Sequence, residues 1–160
     1  ISHWNTGKLM EDKAGREVMK RVAADENMHY LFYKDVATAA LEVDPSAMVM
    51  AMERQVKGFA MPGAGINDFA NHAKAIAEAA IYDLEIHHDQ ILAPVILRAW
   101  RLEALEGLSP EAEEARSRLV VRMARIDKVA KSQSARRAER RARGEGEALA
   151  ADDDDLAATG

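Results

Sequence analysis

An apolar pattern with the period of an α-helix runs from about Arg16 to Val43 and ends at Asp44-Pro45. At a rise of ~1.5 Å per residue this segment forms a helix on the order of 40 Å long, which is common in helical bundles. Aromatic residues make up only 5% of the chain, there are 4 prolines, and no strand pattern or internal repeat is found. The sequence therefore predicts an all-α fold, a bundle of packed helices.

Helix start and stop signals divide the rest of the chain. Gly15 near Lys13 is expected to end a first helix, and Ser109-Pro110 followed by acidic residues is a strong start signal. The other predicted helices begin at Pro45, at Asn67 or Asp68, and at about Leu84, the last running to Leu105 with Pro94 inside it. A proline in that position predicts a kink.

Length and composition limit the class of protein. A chain of 160 residues with 48% apolar residues can form one domain with a real core. It has no cysteine, which excludes disulfides and thiolate metal sites and leaves histidines and carboxylates as strong ligands. No apolar run approaches the roughly 20 residues of a spanning helix. We expect a soluble, cytoplasmic protein without a membrane span.

The first residues, ISHWNTGKLMEDK, lack a helix start signal and yet have helical character. The first residue is Ile1 rather than methionine. A tag or protease scar would explain the missing methionine, but such segments are rarely helical. The pattern favours a chain whose first helix begins upstream of Ile1.

Basic residues are concentrated near the C-terminus. Residues 116–143 contain 11 Lys or Arg and 2 acidic residues, a net charge of +9, so the remainder of this −5 chain carries −14. Such a segment can attract an acidic partner or simply be a solvated helix, and charge alone does not distinguish these cases. The apolar stripe fades at about Lys131. The sequence predicts a bundle over residues 1–130 and a charged, disordered tail over residues 131–160.

The motif Glu26-x-x-His29 lies where the long helix should be apolar. Steps of four and three from Val22 reach Glu26, His29, Tyr33 and Val36, which places the pair within the apolar stripe. A buried carboxylate must shift its pKa, pair with a cation or bind a metal. The spacing puts both side chains on one face, where both reach a single cation. From the spacing alone, a buried ion pair or hydrogen bond remains as acceptable as a metal site.

A second motif of the same spacing, Glu85-x-x-His88, occurs near a helix start beside Asp83 and Asp89. Polar residues at such positions normally cap the helix and face water. Only His88 falls on the apolar stripe of that helix. A capping or surface role is therefore the expectation for this motif.

The runs ISHWNTG, AADENMH, EVDPSAMVMAM, AMP and GLSPEAEEA, in this order over residues 1 to 127, resemble the C-terminal half of soluble acyl-acyl-carrier-protein desaturases. The resemblance implies a partial ferritin-like bundle whose N-terminal helices are missing, and assembly as a homodimer. It also implies two iron ions, Fe2+ or Fe3+, that use O2 and two electrons from a ferredoxin-type donor. The substrate would be a fatty acyl chain bound to acyl carrier protein.

Carried over to this chain, the resemblance makes Glu26 a carboxylate that bridges the two irons and His29 a ligand of one of them. Asp25 resembles an aspartate that accepts a hydrogen bond from a ligand histidine of the partner motif. Met61 and Phe69 resemble residues near the acyl cavity, although ordinary core packing is the more common role of such residues.

The chain also departs from the family pattern, because the first Glu-x-x-His motif and two further carboxylates would lie upstream of Ile1. One Glu and one His cannot hold two irons, so this chain alone is expected to be inactive. The alternative is a non-catalytic helical module that binds acyl carrier protein or another acidic partner through its basic segment. Nucleic acid is not the expected partner. Exposure of Glu26 and His29 to water would count against the desaturase assignment.

Overall fold

The computed structural model describes residues 1–61 and 63–144, and within them the chain is entirely helical or loop, without a strand. This confirms the predicted all-α class. The helices, in chain order, are α1 (Ser2–Leu9), α2 (Lys13–Val43), α3 (Pro45–Gly58), α4 (Phe69–Glu78), α5 (Leu84–His87), a π-helical segment (His88–Ala99), a 3-10 turn (Leu102–Ala104) and α6 (Pro110–Ala142).

The boundary between α1 and α2 differs from the prediction. Helix α1 ends at Leu9, and Gly15 lies within the first turn of α2 rather than after a helix. The reason is Asp12, whose side chain accepts a hydrogen bond from the Gly15 backbone N–H and caps α2. Predictions at Pro45 and Pro110 are confirmed, since α3 and α6 start there and are capped by Asp44 and Ser109.

The core lies between α3 and α6. Val49 and Met52 of α3 are buried against Leu119 and Met123 of α6, and Leu102 of the 3-10 turn closes this cluster. The apolar positions of α6 recur every three or four residues, so they form one stripe facing α3. The burial of these side chains is the main stabilising contribution that the fold offers.

The segment after α5 winds more widely than an α-helix. Residues His88–Ala99 form a π-helix, and the Trp100 backbone N–H reaches the Val95 carbonyl five residues earlier at 2.8 Å. Pro94 lies inside this segment and has no N–H to donate, which removes one hydrogen bond from the helical ladder. The Trp100 indole N–H donates to Thr38 Oγ1 at 2.8 Å and ties the end of the segment to α2.

Helix α6 does not stop at the predicted boundary near Lys131. It continues without a break to Ala142, so residues 131–142 are helical rather than disordered. The physical reason is a set of polar contacts with α4 and α5, which replace the fading apolar stripe. Residues 145–160 of the predicted tail lie outside the described residues.

Helix α2 leaves much of its apolar surface in water. The exposed large side chains of α2 are Val18, Met28, Tyr30, Leu31, Phe32, Tyr33, Val36 and Val43. In residues 1–61 and 63–144, no helix combines the length and apolar character that crossing a membrane requires.

Candidate metal centre and apolar groove

Glu26 and His29 lie one turn apart near the middle of α2. The Nδ1 atom of His29 is 3.5 Å from Oε2 of Glu26, as the i, i+3 spacing predicts. Their side chains are 54% and 67% exposed, respectively. The predicted burial of the pair is therefore wrong for the described residues, and the exposure that was expected to count against the desaturase assignment is present.

The exposure has a simple structural cause. The predicted stripe through Tyr33 and Val36 is exposed along with the pair, whereas α2 buries Leu41 and partly buries Thr38 on a different side. Val22, where the stripe begins, is half-buried, so the exposed part of the stripe runs from Glu26 to Val36. The period of the pattern was correct, but the side of α2 that packs against the other described helices is not the side that carries Glu26 and His29.

The donor atoms of the pair fit part of an iron site. At metal-ligand bonds of about 2.1 Å, two donors 3.5 Å apart can bind the same cation. A carboxylate and an imidazole also suit iron. Within the described part of the chain, no third His, Asp or Glu converges with Glu26 and His29. The two residues therefore supply one side of a site and do not hold two irons by themselves.

An apolar groove of about 1210 Å³ runs beside Glu26. Its walls include Trp4 of α1, Phe59 and Met61 of the segment after α3, and Tyr82. Met61, predicted to lie near an acyl cavity, thus shares a groove with the predicted metal ligand Glu26. A wall of this kind excludes water from an apolar ligand and leaves one carboxylate at its edge.

The other two predicted site residues lie elsewhere. Phe69 does not line the groove and packs beside Gly63, where a Cβ atom would be 3.4 Å from the phenyl ring. Gly63 has a φ of +94°, so the turn itself favours glycine. The Asp25 side chain is exposed and has no hydrogen bond or ion pair with a described residue.

A buried Tyr-His pair forms part of the groove wall and was not predicted. The hydroxyl of Tyr82 is 2.7 Å from Nδ1 of His87, which is only 6% exposed. The ring of Phe59 stacks on His87 with 4.2 Å between ring centroids and an interplanar angle of 19°. Two of the three rings, those of Phe59 and Tyr82, face the groove. The clue in the sequence was the pair of adjacent histidines after Tyr82, which we interpreted as a capping or surface segment.

His88, the neighbour of His87, belongs to a separate polar cluster. Its Nδ1 atom lies 2.6 Å from Asp89 Oδ1 and 3.6 Å from Asp127 Oδ1. Among the described residues this is the one group of three side chains with metal-ligating atoms close together. However, the Lys131 ammonium already bonds to Asp127 Oδ2 at 2.8 Å and supplies a cation there. The predicted surface role of Glu85 is partly wrong, because its carboxylate accepts a hydrogen bond from Ser134 of α6.

Comparison with known proteins identifies the family. A family model described as "Fatty acid desaturase" matches residues 1–148. This chain belongs to the fatty acid desaturase family.

Curated desaturases resemble the chain at moderate identity. A putative acyl-[acyl-carrier-protein] desaturase, DesA1 of Mycobacterium tuberculosis, is 36% identical over 121 residues, which cover 76% of this chain and 36% of the relative. A chloroplastic stearoyl-[acyl-carrier-protein] 9-desaturase of Simmondsia chinensis is 31% identical over 125 residues, covering 72% and 31%. The corresponding desaturase 6 of Arabidopsis thaliana is 32% identical over 126 residues, covering 72% and 32%. The chain spans about a third of the length of these desaturases.

We expect His87 to titrate below the ordinary histidine pKa. Burial lowers the pKa of His87, and the nearby positive charge of His88 lowers it further. A proton NMR titration of the imidazole should give a pKa below about 6.5.

The shift has a definite sign for stability. The folded state disfavours protonated His87, so the free energy of unfolding depends on the protonation of this side chain. The stabilising contribution of neutral His87 is fully present above the unfolded pKa of about 6.5 and is lost as the pH falls through the folded pKa. The free energy of unfolding should therefore decrease on acidification in this window. A His87 pKa at or above about 6.5 would contradict the expectation.

Proposed function

We propose that the protein containing this chain desaturates a fatty acyl chain bound to acyl carrier protein. The observation that supports this most is the position of Glu26, a carboxylate one turn from His29 and at the edge of an apolar groove. In the proposed reaction one –CH2–CH2– unit loses two hydrogens and becomes a cis or trans –CH=CH– unit. O2 takes up these hydrogens together with two electrons and two protons, and two water molecules form.

In this proposal Glu26 and His29 are ligands of a two-iron centre, with the remaining ligands supplied from outside the described residues. Bound iron supplies the oxidising power to break unactivated C–H bonds, which no amino-acid side chain has. The protein residues bind and orient the substrate. The walls formed by Trp4, Phe59 and Met61 exclude water and hold an alkyl chain beside the carboxylate. We assign Asp25 to a hydrogen bond with a further iron ligand. Phe69 does not line the groove, so Met61 is the residue of the predicted pair that we assign to acyl binding.

The exposed stripe of α2 supports the idea of additional covering elements. Tyr33 and Val36 lie on the same side as the proposed ligands, and leaving such a side in water is costly. We propose that helices which carry the other iron ligands cover this stripe in the whole protein. The protein would then act as a homodimer in the cytoplasm, with electrons supplied by a ferredoxin-type donor.

The basic side of α6 is the proposed docking surface for acyl carrier protein, an acidic partner. Many cations of residues 116–143 are already paired, for example Arg118 with Glu53 and Arg140 with Glu78. The cations with neither an ion pair nor a hydrogen bond to a described residue are Arg122, Arg125, Lys128 and Arg136, all of which fall within one side of the helix at 100° per residue. Buried Arg122 Nε has no hydrogen-bond partner in the described residues.

One observation favours a second function. Glu26 and His29 face water and lack a third ligand among the described residues, as a non-catalytic module would also show. Such a module would use the same cations of α6 to bind an acidic carrier and would need no iron. It would therefore bind without turnover.

Turnover of an acyl-carrier-protein substrate separates the two functions. With O2, ferredoxin and its reductase, the purified protein should convert stearoyl-acyl-carrier protein into a mono-unsaturated product, detected by mass spectrometry. Because the cations of α6 attract the carrier, KM should rise as the salt concentration rises. Binding of the carrier without any product, in protein that contains iron, would support the non-catalytic module and contradict the desaturase.

A further inference from the structure

The part of the groove wall formed by Phe59 and Tyr82, with His87 buried behind these two rings, is held by contacts that originate on its far side. Tyr82 directly precedes Asp83, and Asp83 caps the short helix α5, which ends at His87. One oxygen of Asp83, Oδ1, accepts a hydrogen bond from the Ile86 backbone N–H at 2.7 Å. The position of the Asp83 carboxylate therefore fixes the turn that brings the Tyr82 hydroxyl to His87.

The other oxygen of Asp83 accepts a hydrogen bond from Arg137 of α6. The Asp83 side chain is only 9% exposed and that of Arg137 is 16% exposed, so the pair is largely removed from water. A nearly buried carboxylate needs a cationic partner, and losing it leaves a charge without compensation. Arg137 also donates to Ser134 Oγ at 2.9 Å, which orients the guanidinium group towards α5.

We propose that Arg137 is a positioning residue for the groove, which fixes the Tyr82–His87 wall through the carboxylate of Asp83. Without Arg137, the Asp83 carboxylate turns towards water and gives up the cap on Ile86. The first turn of α5 then loosens, and the hydrogen bond between Tyr82 and His87 weakens with it. The use of the groove for an acyl chain rests on the proposed function, whereas the positioning itself does not.

A purely stabilising role for Arg137 is the competing explanation, and the structure separates the two. Ser134 also donates to Glu85, so α6 and α5 stay connected when Arg137 is removed. The core contacts of α6 at Leu119 and Met123 lie several turns away. Replacement of Arg137 should therefore change the groove wall while the bundle remains folded.

The test uses the ring nitrogens of His87 as the reporter. In wild-type protein at neutral pH, 15N NMR should show one neutral tautomer of His87, fixed by the hydrogen bond between Tyr82 and Nδ1. In Arg137→Ala, the 15N chemical shifts of both His87 ring nitrogens should move towards the averages of the two tautomers. Asp83→Asn, which keeps an oxygen for the cap but loses the charge, should produce a smaller shift in the same direction. Arg137→Lys should restore the wild-type signals in part.

Arg118→Ala is the matched control, because it removes a cation of the same helix that pairs with Glu53 and Glu114, several turns before Arg137 and away from α5. Its His87 signals should remain those of the wild type. Unchanged His87 signals in a folded Arg137→Ala variant overturn the proposal. If that variant does not fold, Arg137→Gln decides in the same way. Because the NMR signal needs neither iron nor turnover, its outcome is independent of whether the protein is a desaturase. In an active enzyme, the proposal predicts a raised KM for the acyl substrate with a smaller change in kcat.

Discussion

Replacing His29 by alanine is expected to remove most of the iron from the protein. The imidazole and the Glu26 carboxylate, 3.5 Å apart, are the two iron ligands proposed on this chain. Loss of a mere hydrogen-bond partner of a metal ligand typically lowers metal affinity about 10–100-fold, and loss of a ligand should cost at least as much. Glu26→Ala should also lower the iron content, because its carboxylate is the other proposed iron ligand on this chain. Iron content measured by mass spectrometry of the purified protein tests both variants.

The matched control is His72→Ala, which removes an exposed helical histidine of α4 and should leave the iron content unchanged. Circular dichroism of each variant establishes that the helices are intact. Iron content equal to that of wild-type protein in both His29→Ala and Glu26→Ala would remove these residues from the site. It would also remove the main support for the proposed desaturase centre.

Replacing Leu119 by alanine is expected to cause the largest loss of stability among single substitutions on α6. Leu119 is fully buried in the core between α3 and α6, where it packs with Val49, Met52 and Leu102. Removing its branched end leaves a cavity and forfeits the transfer free energy, for a loss of about 3 kcal/mol in the free energy of unfolding. Urea unfolding followed by circular dichroism measures this difference.

The control for this experiment lies two residues further along the same helix. Val121 is 70% exposed, so Val121→Ala should change the free energy of unfolding by about 0.5 kcal/mol or less. A Leu119→Ala variant as stable as Val121→Ala would show that α6 does not pack on α3 as the structure has it.

Local signals in the sequence predicted helix boundaries well where one side chain decides them. Ser109 before Pro110 caps α6 as expected, and α3 starts at Pro45 as expected, with Asp44 as its cap. Gly15 misled the prediction, because the cap of α2 depends on Asp12 three residues earlier, and a glycine within the first turn is tolerated there. The end of α6 was missed for another reason. Its last turns are stabilised by partners on α4 and α5 that are distant in sequence.

The candidate site was predictable only to the extent that helix geometry determines it. The spacing of Glu26 and His29 in the sequence places their side chains close together, and the structure shows them 3.5 Å apart. Their exposure was not predictable, since a periodic pattern shows which residues share a side and not what covers that side. The pair of Tyr82 and His87 depends on a turn capped by Asp83, which adjacent histidines in a sequence do not reveal.

The internal pairing of α6 alters how this chain acts on charged molecules at a distance. An ion pair such as Arg118 with Glu53 is a dipole, and the field of a dipole declines more steeply than that of a single charge. At physiological ionic strength, with a Debye length of about 8 Å, such pairs contribute little beyond the surface. An approaching anion therefore senses a narrow ridge of unneutralised side chains rather than a uniformly positive helix. The charges of α6 should therefore influence the orientation in which an anionic molecule meets this helix more than how often the two meet.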